Sequence, residues 1–129
     1  MNKLTNLSII HEAVCDMYGL EKERLFERTR KHEILIPRQW FHYLCRKLAP
    51  LTSCVKIGNY YSDVTGNPFK HCSILHSTKT ISGYVENYRE YKSIETDLIY
   101  DIKKRQNIEY YTAFSQKICN PMIYESLNQ

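Results

Sequence analysis

Long apolar runs are missing from this 129-residue chain. None approaches the ~20 residues that a membrane-spanning helix needs. The first residues, MNKLTNLSIIHEAV, interrupt their short apolar run with a histidine and a glutamate, which is not the pattern of a signal peptide. Glycine and proline are also scarce, at four each, while 43% of the residues are hydrophobic. This composition is typical of a globular, helix-rich domain and disfavours a disordered chain.

Paired cysteine motifs and phosphate-binding glycine loops are also absent. The five cysteines are odd in number and widely spaced, and they form no Cys-x-x-Cys, so neither a disulfide framework nor a zinc knuckle is indicated and a reducing cytoplasm is expected. Cys72 and His76 are four residues apart, but no second pair follows at zinc-finger spacing, so no metal site is predicted. No GxxxxGK[ST] motif occurs, so we predict neither nucleotide binding nor any other cofactor.

Positive charge is modest in total but concentrated in one stretch. The net charge is +4. Seven Lys or Arg residues stand between Arg24 and Lys47 against only Glu27 and Glu33, a local excess of five. Concentrated basic charge is typical of a protein that binds a phosphate backbone, although a solvated surface can carry the same pattern.

Apolar spacing predicts helices on both sides of this basic stretch. The first runs from about Asn6 to Tyr18, and Gly19 is a typical stop just beyond a helix end. We interpret Arg28–Leu35 as a basic loop, because it has no apolar period. Pro37 is expected to open the next helix, which ends near Ala49. Arg38 and Gln39 would then lie in its first turn, where backbone N–H groups favour an anion.

Two further segments have the outline of a helix-turn-helix. The first is a short helix over Cys54–Tyr61 that Ser53 can cap, and the second begins at Asn67-Pro68 and extends to about Asn87. Its inner face is predicted to carry Ile74, Leu75, Thr78, Ile81 and Val85. Its outer face is predicted to carry Ser73, His76, Ser77 and Thr80.

Another amphipathic helix is predicted from about Lys92 to Arg105, and an aromatic segment follows it. The expected fold is therefore all-α, an orthogonal bundle of six to seven helices. We assign residues 1–105 to the helix-turn-helix domain and 106–129 to a helical extension that packs on it. A homodimer contact through this extension is the alternative.

The order of these parts resembles the C-terminal DNA-binding domain of the bacterial replication initiator DnaA, a Trp-repressor-like helix-turn-helix domain. The similarity begins at VCDMYGLEKERLFERTR (14–30) and continues through Pro37-Arg38-Gln39, Ile57-Gly58 and Ile74-Leu75-His76. It fades after about Arg105. The absence of the ATPase module that accompanies this domain in the initiator predicts a standalone, divergent version.

The resemblance implies a role for several side chains in DNA binding. Arg30 matches a minor-groove arginine, Arg46 matches a phosphate-contacting lysine, and Arg38 with Gln39 match a pair near the DNA backbone. His71, Cys72 and Ser73 match the residues that read bases in the major groove. The complete predicted DNA-binding set is Arg28, Arg30, Lys31, Arg38, Gln39, Arg46, Lys70, His71, Cys72, Ser73 and His76.

This sequence departs from the family pattern in two places. Lys70 stands where the family has an aspartate, which exchanges a hydrogen-bond acceptor for a donor and should change the base that is read. The family's paired glycines are replaced by a longer connector, SDVTGNPFK (62–70). If the helix starts at Asn67, His71 points towards the core and Cys72, Ser73 and His76 remain as readers. A start near Lys70 would instead place His71 in the first turn.

We therefore expect a nucleoid-associated protein that binds double-stranded DNA sequence-specifically, in replication initiation or its regulation, and that is not an enzyme. The helix over 67–81 would enter the major groove, and the basic loop would reach the minor groove or the backbone. The alternative is a protein-interaction module that kept the fold and lost DNA binding.

Overall fold

The computed structural model describes residues 6–50, 52–66 and 71–118, with their side chains except those of 71, 72 and 109–118. This part of the chain contains no β-strand, and it forms five α-helices and one 3₁₀ turn rather than six to seven helices. The all-α prediction is therefore confirmed with a smaller helix count. The elements in order are α1 (Leu7–Tyr18), the 3₁₀ turn (Lys22–Phe26), α2 (His32–Leu48), α3 (Cys54–Thr65), α4 (His71–Asn87) and α5 (Arg89–Ile118).

Helix α1 has the bounds that its local signals predict. The Asn6 side chain accepts a hydrogen bond from the Ser8 N–H at 2.9 Å and so caps the first turn. Gly19 ends the helix in the left-handed conformation, at φ 65°, which costs glycine little because it has no Cβ. Ile10 and Val14 lie on the inner face and are fully buried.

Helix α2 is the centre of the bundle and begins earlier than predicted. It starts at His32, with Lys31 as its N-cap residue, so Pro37 lies inside the helix rather than at its opening. The extra turn carries Ile34, which is only 1% exposed, so burial of an apolar side chain favours this earlier start. Every residue from Pro37 to Cys45 is buried, so the helix is covered on all sides instead of along one stripe. It packs against α1, the 3₁₀ turn, α3 and α4.

Helix α3 is one turn longer than predicted. Ser53 caps it as expected, by accepting a hydrogen bond from the Lys56 N–H at 3.2 Å. The helix continues beyond Tyr61 to Thr65 and ends at Gly66, whose φ is 80°. The first residues of the predicted connector are therefore helical, so the link to α4 is shorter than SDVTGNPFK suggests. Whether the next helix begins at Asn67 or Lys70 lies outside the described residues.

Helix α4 packs on α2, α3 and α5, with an inner face rotated slightly from the predicted one. Ile74 and Ile81 are fully buried, as expected. Ser77, predicted to face outwards, is only 7% exposed, whereas Leu75, predicted to be inside, is 42% exposed. The reason is geometric: Ser77 lies between Ile74 and Ile81 on a helical net, while Leu75 lies to one side.

Helix α5 continues well past the predicted end at Arg105 and runs to Ile118. Its buried side includes Leu98 and Ile102, and it packs on α1 and α4. The helix crosses residues 105 and 106 without a break, so the proposed boundary there falls within one element. Among the described residues, no helix is both long and apolar enough to cross a bilayer.

Candidate nucleic-acid interface

A basic loop of five residues, Glu27–Lys31, joins the 3₁₀ turn to α2. Arg28, Arg30 and Lys31 are exposed, and Thr29 between them is half-buried. The loop makes two internal hydrogen bonds: the Thr29 N–H donates to the Glu27 carbonyl at 3.0 Å, and the Lys31 N–H donates to the Thr29 hydroxyl at 3.2 Å. The loop therefore has a defined backbone path with cationic side chains on its outer side.

The seven cations of the basic stretch are not equally available to an external anion. Arg24 pairs with Glu27 at 3.2 Å, and Lys47 pairs with Glu95 of α5 at 3.0 Å. Arg38 is buried. The three remaining cations belong to the loop: Arg28, Arg30 and Lys31. None of them forms an ion pair with any residue that the structure describes. Their charge can therefore interact with a ligand without first breaking an ion pair.

Arg38 does not lie in the first turn of α2, and its guanidinium points inwards. The residue is 7% exposed. Nη1 donates to the Glu27 carbonyl, and Nη2 donates to the Thr29 carbonyl at 2.9 Å. Burial lowers the pKa of Arg38 from its usual value, because a charged guanidinium loses hydration inside the protein.

Gln39 and Arg46 occupy the same helix and differ in exposure. Gln39 is 9% exposed, so it too is largely enclosed rather than standing on a surface first turn. Arg46 is half-buried in the last turn of α2, and its Nη1 lies 3.4 Å from the Thr52 carbonyl. That carbonyl immediately precedes Ser53, the cap of α3. Arg46 thus lies beside the start of the helix-turn-helix, with part of its side chain accessible.

The outer face of α4 carries the side chains that could reach base edges. His76 and Lys79 are exposed, and Ser73 is half-buried. The residues 76 and 79 are one helical turn apart and therefore share a face. Lys79 was not in the predicted set, although its spacing of three residues from His76 is the signal that could have identified it.

Three predicted site residues cannot be assigned a side-chain position. Lys70 lies outside the described residues, and so do the side chains of His71 and Cys72, whose backbones form the start of α4. Within the described part of the chain, no group of three or more His, Cys, Asp or Glu side chains could hold a metal ion.

A buried histidine joins three elements on the side of the 3₁₀ turn, which precedes the basic loop. His11 of α1 donates through Nε2 to the Lys22 carbonyl at 2.8 Å, which leaves Nδ1 to accept from the Tyr60 hydroxyl at 2.9 Å. Burial lowers the pKa of His11, so the neutral ring required by these two bonds is favoured. One side chain thereby connects α1, the 3₁₀ turn and α3. Sequence patterns do not predict this role, because a lone histidine in a helix has no distinctive spacing.

Residues 7–81 match a family described as the bacterial dnaA protein helix-turn-helix. The match covers α1, the 3₁₀ turn, the basic loop, α2, α3 and the first part of α4. It therefore contains the basic loop Glu27–Lys31 and the two elements that flank it, the 3₁₀ turn and α2.

Curated relatives agree with this match. The chain is 34% identical over 94 residues to chromosomal replication initiator protein DnaA 2 of Chlamydia caviae, covering 73% of this chain and 19% of that protein. It is 26% identical over 103 residues to the chromosomal replication initiator protein DnaA of Bacteroides thetaiotaomicron, covering 80% of this chain and 21% of the relative. The chain thus spans about a fifth of the length of these relatives.

Proposed function

The chain belongs to the bacterial dnaA helix-turn-helix family, and on this premise we propose that it binds double-stranded DNA sequence-specifically in replication initiation or its regulation. The proposal is for binding without a covalent step or a cofactor. It assigns the protein to the cytoplasm, at the nucleoid.

The observation that carries the proposal is the set of three exposed cations on the loop Glu27–Lys31, none of which forms an ion pair within the part of the chain that the structure describes. An exposed cation that has no acidic partner gains most from a phosphate, since binding releases condensed counterions and breaks no existing ion pair. The loop also ends at the N-terminus of α2, whose N-cap residue Lys31 makes no side-chain capping bond. Backbone N–H groups at such a helix end favour an anion, which adds to the attraction of the loop.

In the proposed complex, two elements read the duplex. The outer face of α4 lies against the base edges of the major groove and contributes Ser73, His76 and Lys79. We propose the same role for Lys70, His71 and Cys72, which precede these residues in the chain. Arg30 enters the minor groove, while Arg28, Lys31 and Arg46 contact phosphates. The short link between α3 and α4 supports this arrangement, because it is compatible with a helix-turn-helix.

A protein-binding role is the second candidate, and exposed apolar side chains on α5 favour it. Tyr100 is 70% exposed and Ile108 is 59% exposed. A partner, including a second copy that also contacts residues 106–129, would cover them. This candidate does not require the loop cations, so the two roles can be separated by substitution.

The experiment that tests DNA binding compares two arginines. Selection from random duplexes first defines a preferred site, and affinities are then measured for that site and for a scrambled duplex. Arg30→Ala should weaken binding to the preferred site by about 1–3 kcal/mol and relax discrimination at one end of it. Arg46→Ala should weaken binding to both duplexes equally and reduce the salt slope by about one unit.

Thermal unfolding of both variants is the control, and it matters most for Arg46 because this side chain is half-buried. If Arg30→Ala weakens binding to the preferred and scrambled duplexes by the same factor, Arg30 is a phosphate contact and the minor-groove role is wrong. If selection enriches no site and the wild-type protein binds no duplex, the DNA-binding proposal fails.

A further inference from the structure

The guanidinium of Arg38 bridges two carbonyl groups of the basic loop. Its two terminal nitrogens donate to the carbonyls of Glu27 and Thr29, which stand at the start and the middle of the loop. Glu27 and Thr29 flank Arg28, and Thr29 immediately precedes Arg30. The backbone that carries both exposed arginines is therefore held by one buried side chain of α2.

Only an arginine is suited to this bridge. The guanidinium presents several N–H groups in a rigid, planar fork, so one side chain can satisfy two carbonyls two residues apart. A lysine places its charge at one point on a flexible stem and cannot reproduce the fork. The bridge is thus sensitive even to a substitution that keeps the charge.

The same face of α2 also holds the first helix of the helix-turn-helix. His42, one turn after Arg38, forms a buried hydrogen bond with the Tyr61 hydroxyl of α3. The Phe26 ring, directly before the loop, lies against the Tyr61 ring with centroids 3.8 Å apart. Helix α2 is therefore connected to the loop through Arg38 and to α3 through His42.

We infer that Arg38 is a positioning residue for DNA binding rather than a phosphate contact: it fixes the loop Glu27–Lys31 so that Arg28 and Arg30 stand at a set distance from the helix-turn-helix. The inference rests on the proposed function and deepens it. A residue that is 7% exposed and directs two donors to protein carbonyls is poorly placed to contact a phosphate. Its effect on DNA must be transmitted through the loop.

Hydrogen exchange in the free protein tests the bridge without DNA. Arg38→Lys keeps the charge and Arg38→Met keeps the aliphatic stem, and both remove the fork. Amide exchange of Thr29 and Lys31 should accelerate by about tenfold or more in each variant, while exchange of Leu98 and Ile102 in α5 should be unchanged. Unchanged loop exchange in both variants, or loss of the whole fold in both, would overturn a local positioning role.

A double-mutant cycle with Arg30 tests the consequence for DNA. If Arg38 acts through the loop, Arg38→Lys lowers affinity for the preferred duplex by about tenfold or more, and adding Arg30→Ala then costs less than about twofold. If Arg38 contacts phosphate directly, Arg38→Lys retains most of the duplex affinity. Arg30→Ala then lowers affinity by the same factor in the wild type and in Arg38→Lys. That second result would overturn the inference.

Arg46→Lys is the matched control, since it makes the same exchange at a half-buried position of the same helix. In the Arg46→Lys background, Arg30→Ala should lower duplex affinity by the same factor as in the wild type. If Arg30→Ala costs much less affinity in this background too, the coupling is not specific to Arg38 and the inference is overturned. If the wild-type protein binds no duplex at all, the proposed function fails, whereas hydrogen exchange still decides whether Arg38 fixes the loop.

Discussion

The basic loop Glu27–Lys31 and the surface around Arg105 both carry positive charge, but they use it differently. Arg105 of α5 contacts three carboxylates, at 2.6 Å from Asp16, 3.1 Å from Asp101 and 3.7 Å from Glu12. Asp16 and Glu12 belong to α1, so this arginine connects two helices. The loop cations have no such partners among the residues that the structure describes. Pairing, more than charge count, therefore distinguishes the surface that we propose for DNA binding from other basic side chains.

Protonation of the buried His42 would place a positive charge in the interior of the protein. Of the changes considered, this one should have the largest effect on the free energy of unfolding. His42 is 1% exposed, and burial, reinforced by the nearby charge of Arg38, lowers its pKa to about 3. The unfolded chain has an ordinary histidine pKa, so it takes up the proton first and the folded state loses stability as pH falls below about 6.5. The expected loss between pH 6.5 and 4.5 is about 2–3 kcal/mol.

Denaturant unfolding across this pH range checks the prediction. His42→Gln retains an amide that can bond to the Tyr61 hydroxyl but removes the titrating group. The free energy of unfolding of this variant should therefore fall much less than that of the wild type as the pH is lowered. His32→Gln is the matched control at an exposed position and should keep the wild-type pH dependence. If the free energy of unfolding falls equally steeply at acidic pH in His42→Gln and in the wild type, other groups cause the loss of stability.

Removing the paired cation Arg105 should have a smaller effect than protonating His42, and it should change stability but not DNA binding. Arg105→Gln leaves Asp16 and Asp101 without their partner and should lower the free energy of unfolding by about 1 kcal/mol, since the site is only partly buried. Duplex affinity should not change. Lys103→Gln, at an exposed position on the same helix, should change neither quantity. If Arg105→Gln weakens DNA binding as much as Arg30→Ala does, the distinction between paired and unpaired cations is wrong.

Local signals explain how much of the fold could be predicted. The bounds of α1 follow from Asn6 and Gly19, which act on their own helix ends and need no tertiary information. The predicted start of α2 at Pro37 is wrong because proline, although typical of a first helical turn, here lies inside the helix. The earlier start at His32 goes with the burial of Ile34, which depends on tertiary packing rather than on local sequence.

The candidate site was only partly predictable for the same reason. The basic stretch identified the loop, but the sequence could not separate Arg38 from its neighbours, because its burial depends on how α2 lies against the loop. Local spacing also failed for Ser77 and Leu75, since a small polar residue can occupy the centre of a packed face. The loop cations remain predicted DNA contacts, and so does His76.

The salt dependence of duplex binding tests the central claim most directly. If Arg28, Lys31 and Arg46 bind phosphates and Arg30 adds its charge in the minor groove, log affinity should fall with log salt with a slope of roughly −3 to −5. Replacing Arg28, Arg30 and Lys31 together by glutamine should make this slope shallower by roughly 2 to 3 units, whereas Arg105→Gln should leave it unchanged. A flat dependence in the wild type, or an equal slope in the triple variant, would contradict the assignment of the loop Glu27–Lys31 as the DNA-binding surface.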